Sequence, residues 1–253
     1  MTEKSFVGRR VLITGAGAGI GAETARAIVA RGGRVAIFDL DGDKAVETAR
    51  VLGAEQALAF AGDVSDADAI ESALDGMDEA WGGIDDLVNN AGIYDHGPLL
   101  ELSLDQWRHV FEVNLMAPIA ISNAAVRRMA GGGSIVNVSS VLGQVAAPDR
   151  GPYCVSKAAL ISLTKIQAVE WANRDIRVNA IAPGYVMNET TRALADSGSF
   201  DTSDICRRTP LGRFGSEQEV MEGICFLLDP VRASYVTGHV LEVSGGWMAY
   251  GFV

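Results

Sequence analysis

Short aliphatic and β-branched runs recur along the 253-residue chain, spaced so that a helix fits between them. They are Val11–Thr14, Val35–Leu40, Leu58–Gly62, Asp86–Asn89, Ser134–Ser139, Arg177–Ile181 and Val240–Val243. Several are apolar at consecutive rather than alternate positions, as expected of strands covered on both faces. Between them, Gly19–Arg31, Asp66–Trp81 and Tyr153–Trp171 carry apolar residues at helical spacing. Strand–helix alternation predicts parallel βαβ units. No Pro/Ser-rich linker or shift in composition divides the chain. The pattern predicts one α/β domain over residues 1–253, a doubly wound parallel sheet with helices on both faces.

One region breaks the rhythm. Residues 185–213, YVMNETTRALADSGSFDTSDICRRTPLGR, are polar and weakly periodic. They follow a strand and so leave from the carboxyl edge of the sheet, where open α/β sheets bind ligands. A long insertion there predicts a lid.

Hydrophobic residues make up 48% of the chain, enough to build a sizeable interior. A net charge of −11 argues against nucleic acid and anionic membranes, which need clustered Lys and Arg. The start, MTEKSFVGRR, lacks a signal-peptide core, and no run approaches a membrane span. Cys154, Cys206 and Cys225 form no C-x-x-C pair, which predicts reduced thiols and a cytoplasmic location. His96, His109 and His239 are scattered, so no metal site is expected.

The stretch ITGAGAGIGAE, Ile13–Glu23, places glycine at every second position from Gly15 to Gly21. Pinned between an apolar strand and a helix, it is not a linker. Glycines here permit a tight turn, close backbone approach to a pyrophosphate at a helix N-terminus, and close helix–strand packing. Two registers satisfy that physics: Gly15, Gly19 and Gly21, or Gly17, Gly19 and Ala22. Asp39 closes the next strand at about the spacing of a ribose-binding acid. A carboxylate there accepts from ribose hydroxyls and repels a 2′-phosphate. Neither Ala18 nor Leu40 offers an offsetting positive charge, so NAD is favoured over NADP.

Tyr153 and Lys157 lie at i and i+4 on a helical segment, on one face. Ser139 and Ser140 end the strand SIVNVSS at the same sheet edge. Oxidising an alcohol needs a base for the hydroxyl proton while hydride departs. A phenol with a pKa near ~10 is a poor base at neutrality. A positive charge about 4 Å away contributes roughly 4 kcal/mol at an effective dielectric near 20, or about three pKa units. Lys157 and a cationic nicotinamide could thus bring Tyr153 towards neutrality, with a serine hydroxyl placing the substrate oxygen.

Together these segments resemble the classical short-chain dehydrogenase/reductase family, over nearly the whole chain. Thr14–Gly21 resembles its T-G-x-x-x-G-x-G cofactor loop, which selects the Gly15, Gly19, Gly21 register. Asn89-Asn90-Ala91-Gly92 resembles its N-N-A-G motif, Asp63-Val64 its adenine contact, and Pro183-Gly184 the turn past the nicotinamide. Asn114, Ser140, Tyr153 and Lys157 match its catalytic tetrad. The resemblance implies a Rossmann-type fold and roles for each: Tyr153 as general acid/base, and Lys157 lowering its pKa and holding the nicotinamide ribose. Ser140 would orient substrate, and Asn114 would fix a water linking Lys157 to solvent. Cofactor contacts are implied for Gly15, Gly19, Ile20, Gly21, Asp39, Leu40, Asp63, Val64, Asn90, Ala91, Gly92, Pro183, Gly184, Val186 and Asn188. Two departures stand out. Asn188 replaces a frequent Thr, for which Thr190 could substitute, and Ser244-Gly245-Gly246 replaces Asp-Gly-Gly.

The resemblance also implies a homotetramer, with helices Asp105–Met129 and Tyr153–Trp171 at one interface. The aromatic tail from Gly246 to Phe252 could pack on a neighbouring subunit or on its own core. Candidate pocket residues are Tyr94, Asp95, His96, Gln144, Asp149, Arg150, Tyr185 and Glu189, which suit a polyol or sugar. Val141, Leu142, Val145 and Met187 suit an apolar substrate instead. The leading expectation is an NAD-dependent oxidoreductase that turns a secondary alcohol into a ketone. The alternatives are a carbonyl reductase, acting for example on a 3-oxoacyl thioester, and a non-catalytic NAD-binding regulatory protein.

Overall fold

Alternation along the strands sorts the core into two layers. Val11, Ile13, Val35 and Ile37 face one side of the sheet, and Leu12, Ala36 and Phe38 face the other. All seven are buried, as a sheet covered on both faces requires. The computed structural model describes residues 5–198 and 201–251. Its strands are β1 (Arg10–Thr14), β2 (Arg34–Asp39), β3 (Ala57–Ala61), β4 (Asp86–Asn89), β5 (Gly133–Val138), β6 (Ile176–Pro183) and β7 (Val240–Val243). They form one parallel sheet in the order β3-β2-β1-β4-β5-β6-β7.

The first layer is covered by α1 (Gly19–Ala30), α2 (Gly42–Leu52) and α9 (Glu217–Leu228). The second is covered by α3 (Ala67–Trp81), α5 (Ala117–Arg128) and α6 (Gly151–Trp171). The helix expected over Asp105–Met129 is broken. α4 (Leu104–Phe111) runs into a π-helical turn, Glu112–Met116, before α5 begins. The polar stretch after β6 contains two short helices, α7 (Glu189–Asp196) and α8 (Ser203–Arg208).

Buried polar pairs knit the layers together. Asn89 and Asn137 sit side by side in register, and the Asn89 amide donates to Asn137 Oδ1 (2.8 Å) and Ser122 Oγ (3.0 Å). Asn137 in turn donates to Thr164 Oγ1 (2.9 Å), which ties β5 to α6. Through these amide donors the two asparagines fix how the central strands meet their helices, while Asn89 Oδ1 stays buried without a partner among the described residues.

Chain order reverses between β1 and β4, which places the topological switch point there. Several helices start on side-chain caps: Asp41 for α2, Asp66 for α3, and capping boxes at Ser103 and Ser216 for α4 and α9. By contrast, Ala18 and Arg150, which precede α1 and α6, provide no side-chain cap. The first-turn N–H groups of those two helices are left for another partner. No helix among the described residues is long and apolar enough to cross a membrane.

Candidate active site

A cleft of about 450 Å³ opens at the carboxyl ends of the central strands, with Asn90, Ser140, Tyr153, Lys157 and Gly184 in its wall. At its cofactor end, Gly15 has φ 62°, and a Cβ there would lie 2.9 Å from Ala91 Cα. A Cβ on Gly21 would fall 2.5 Å from the Gly15 carbonyl oxygen. Asn90 staples this turn, its amide donating to the carbonyls of Thr14 (2.9 Å) and Gly15 (2.8 Å). The backbones of Asn90 and Ala91 donate to Thr14 Oγ1, both at 3.0 Å. Side-chain-free backbone thus approaches an uncapped helix start, the geometry a pyrophosphate requires, so the residues present fit a dinucleotide.

Asp39 ends β2 beside this loop. Its Oδ2 accepts from the Gly17 amide (2.7 Å) and its Oδ1 from the Asp41 amide (2.9 Å). Gly17 is therefore not a free position. A Cβ on it would meet Lys44 Cβ at 2.8 Å and Asp39 Oδ2 at 2.9 Å. At Gly19 nothing approaches a Cβ closer than 3.4 Å, but its φ of 61° is one that L side chains rarely adopt. Sequence spacing also missed Lys44. Its ammonium lies 3.0 Å from Asp41 Oδ2, and its pKa is raised by that hydrogen bond and by the charges of Asp41 and Asp39. The signal was a lysine in the first turn of α2, five residues beyond the acid.

Farther along the rim, Asp63 Oδ1 accepts from the backbone and hydroxyl of Ser65 (2.9 and 2.7 Å), with Val64 buried beside it. Leu40 is exposed, whereas Ile20, Pro183, Gly184, Val186 and Asn188 line the cleft. Asn188 caps α7, its Oδ1 accepting from the Thr191 amide (2.8 Å). Its Nδ2 and the second lone pair of Oδ1 are left to face a ligand. The Thr190 side chain lies outside the described residues.

At the chemical end, Tyr153 forms a hydrogen bond with the Ser140 hydroxyl. Ser140 Oγ also accepts from the Leu142 amide (3.1 Å), which fixes its position at the end of β5. Ser139, by contrast, donates to the Lys157 carbonyl (2.9 Å) and serves the backbone of α6. Lys157 Nζ lies 5.7 Å from the Tyr153 ring centroid and donates to the Val138 carbonyl (2.8 Å). Burial without a carboxylate partner lowers its pKa to about 8. Burial pushes Tyr153 above its ordinary value, and the Ser140 hydrogen bond and the Arg150 charge act in the opposite sense. Desolvation therefore outweighs the expected Lys157 effect in the free protein.

The π-helical turn explains Asn114. Its amide donates to the Ile93 carbonyl (2.8 Å) and to Ser156 Oγ (3.1 Å), and its Oδ1 accepts from the Ile93 amide (2.9 Å). Both amide hydrogens are spent on protein acceptors. One Oδ1 lone pair remains, on the side of Gly92, where a Cβ would lie 3.3 Å from Oδ1 and 3.2 Å from Lys157 Nζ. Gly92 thus leaves room for the two side chains to face one another.

Of the expected substrate residues, Tyr94, Arg150, Tyr185, Val141 and Leu142 line the cleft, and Asp95, His96, Gln144, Asp149, Glu189, Val145 and Met187 do not. The tail folds back on its own chain. Trp247 is buried, with its ring 4.9 Å from Tyr185 and the Arg208 guanidinium 4.4 Å above it. Phe252 lies outside the described residues. No cluster of metal-ligating side chains occurs among the described residues.

Fold and cleft together define a nicotinamide-dependent oxidoreductase of the Rossmann type. Residues 15–248 match the family described as enoyl-(acyl carrier protein) reductase, and the chain belongs to the short-chain dehydrogenase/reductases, enzymes that act on CH–OH groups. It is 39% identical over 251 residues to the cis-4-hydroxycyclohexanecarboxylate dehydrogenase of Sinomonas cyclohexanicum, covering 97% of this chain and 99% of that protein. A crystal structure of a gluconate 5-dehydrogenase from Burkholderia cenocepacia, in complex with NADP and tartrate, superposes with a TM-score of 0.90 at 36% identity. That match covers 98% of this chain and 99% of that one. An uncharacterized short-chain type dehydrogenase/reductase of Sinorhizobium fredii is 37% identical over 246 residues, which are 96% of this chain and 44% of that protein.

Proposed function

We propose that the protein is an NAD-dependent dehydrogenase that interconverts a small secondary alcohol and its ketone. The carrying observation is the convergence of the Tyr153 phenol, the Ser140 hydroxyl and the Lys157 ammonium on one cleft beside a dinucleotide-shaped glycine turn. When bound, the nicotinamide supplies the hydride acceptor. Ser140 donates to the substrate oxygen and holds it against Tyr153. Tyr153 removes the hydroxyl proton, or returns it in the reverse direction. Lys157 steadies the resulting phenolate, and the Val138 carbonyl holds its ammonium in place. Gly15, Gly19, Ile20 and Gly21 receive the pyrophosphate, Asp63 and Val64 the adenine side, and Asn90 and Ala91 brace the loop. Pro183, Gly184, Val186 and the Nδ2 of Asn188 border the nicotinamide, under a lid formed by residues 185–213.

NAD is favoured because Asp39 presents a carboxylate where a 2′-phosphate would sit, although the Burkholderia relative carries NADP. Lys44 is the opposing charge, and it is paired with Asp41. Two relatives are named for hydroxylated carboxylic acids, which puts small hydroxy acids within the substrate class. A homotetramer in the cytoplasm completes the reading. A second possibility is reduction of a 3-oxoacyl thioester, the activity named for a 3-oxoacyl-[acyl-carrier-protein] reductase of Salmonella typhimurium that is 37% identical over 245 residues.

The test is direct. Secondary alcohols are offered with NAD and with NADP, and 3-oxoacyl thioesters with NADH. Alcohol oxidation with NAD is expected, and Tyr153→Phe should abolish it with coenzyme affinity retained. Tighter binding of NADPH than NADH would overturn the coenzyme assignment, and undiminished turnover by Tyr153→Phe would overturn the mechanism.

A further inference from the structure

The chain holds 32 carboxylates against 21 Lys and Arg residues, yet no carboxylate lines the cleft. Its two charged wall residues are both cations, Lys157 and Arg150. Lys157 is committed to Val138 and faces Tyr153. Arg150 is half-buried, and among the described residues its guanidinium makes no ion pair or hydrogen bond to a side chain or carbonyl. Its contact is with a ring: Cζ stands 5.0 Å from the centroid of Tyr94, across the mouth of the cleft. The nearby acids are occupied or turned away. Asp95 accepts from Gln106 Nε2 and from the His96 amide, both at 2.9 Å, and Asp149 is exposed outside the wall.

A half-buried guanidinium with five unspent donors is an incomplete arrangement, since buried charge persists when paired. Here it shares the cleft wall with the Tyr153 phenol, among the apolar Val141, Leu142 and Phe214 and the polar Tyr185, Asn188 and Thr191. Val141, Leu142 and Phe214 give the guanidinium apolar neighbours in that wall. They suit a compact hydrocarbon frame with one anionic end. The long-range field of a chain at −11 repels anions, so a local unpaired cation is what lets one dock. We infer that Arg150 is the substrate-specificity residue, and that it binds the carboxylate of a hydroxy acid whose alcohol carbon lies at Ser140 and Tyr153. The guanidinium fork matches a carboxylate in a two-point contact, which fixes orientation as well as affinity. Tyr94 holds the fork in place by stacking.

This rests on the oxidoreductase reading above, and the test separates the two. The probes are cis-4-hydroxycyclohexanecarboxylate, its primary carboxamide, and unreactive cyclohexanecarboxylate titrated calorimetrically into the NAD-loaded enzyme. The wild type should prefer the acid to the amide through KM, by about 10- to 100-fold. Arg150→Gln should raise KM for the acid by that factor and weaken cyclohexanecarboxylate binding in parallel, with KM for the amide unchanged and any kcat change, through the lost charge near Tyr153, common to both substrates. The amide reports separately on any influence of Arg150 on Tyr153. Arg150→Lys should restore part of the preference, and Arg50→Gln, on the far surface of α2, none of the loss. Equal KM for acid and amide in the wild type, or unaltered acid binding by Arg150→Gln, overturns the inference and leaves the oxidoreductase reading standing. Tight, Arg150-dependent cyclohexanecarboxylate binding without any alcohol turnover would support the anion site and count against the reaction.

Discussion

The Gly17 amide donates to Asp39 Oδ2 at 2.7 Å, so the glycine loop and the ribose acid form one unit. A methyl group on Gly17 would enter the space of Asp39 Oδ2 and Lys44 Cβ. Gly17→Ala should therefore displace the carboxylate and press on the Lys44 Cβ, weakening NADH binding and eroding discrimination against NADPH alongside a loss of folding stability. Gly19 has φ 61° and open space around it. Gly19→Ala should cost roughly 1–2 kcal/mol through left-handed strain. Coenzyme titration and denaturant unfolding of the two variants should show these effects. An unaltered coenzyme ratio in Gly17→Ala would disconnect the loop from Asp39.

Removing the carboxylate itself should go further. In Asp39→Ala the Gly17 amide loses its acceptor, and Lys44 becomes the dominant nearby charge once its share of Asp39's field is gone. NADP turnover should rise relative to NAD, and adding Lys44→Ala should reverse much of the gain, with both read as kcat/KM ratios at fixed ionic strength. A gain indifferent to Lys44 would show that the lysine plays no part.

Much of this was legible in the chain. Asp86–Asn89 and Val240–Val243 are strands with the expected bounds, and the others shift by one or two residues, because apolar runs and glycine breaks are local signals. The π-helical turn at Asn114 was not legible. It depends on hydrogen bonds to Ile93 and Ser156, which are 21 and 42 residues away and leave no trace in periodicity. Loop residues were the other blind spot. Asp149 and Arg150 are adjacent in sequence, and only three-dimensional packing shows that Arg150 alone lines the cleft. Residues 185–213 looked irregular because α7 and α8 are short and mostly exposed, so no long apolar stripe marks them.

Lys157 carries a stability cost that serves its place in the cleft. Its folded pKa of about 8 lies below the unfolded value of 10.5. Below pH 8 both states hold the proton, and the buried charge costs about 3 kcal/mol. Between about pH 8 and 10.5 the unfolded chain holds a proton that the native state gives up, so this group's contribution rises with pH. In cofactor-free protein, Lys157→Met should be more stable than wild type at pH 7, with the difference shrinking by pH 10, and it should be inactive. Denaturant unfolding across that range reads the effect, and a constant difference would place the burial penalty elsewhere.

At the opposite edge of the sheet, the part-buried Arg9 pairs with the buried Asp86. Arg9 donates from Nε to Asp86 Oδ2 at 2.8 Å and from Nη2 to Oδ1, which also accepts from the Ser134 amide at 3.0 Å. Asp86 is fully buried, and desolvation holds its pKa above the ordinary carboxylate value even with Arg9 present. Arg9→Met should strand that carboxylate and cost about 3–5 kcal/mol at neutral pH. Because the raised pKa lets native Asp86 keep a proton the unfolded chain has released, its contribution is fully present below the unfolded pKa and fades as pH rises through the folded one. The variant should thus lose less stability at pH 5 than at pH 8. Adding Asp86→Asn, whose amide oxygen can still accept from Ser134, should recover most of the loss and flatten the pH dependence. Chemical denaturation of the two variants at both pH values checks this, and an equal loss at pH 5 and 8 would mean that Asp86 stays charged without its arginine.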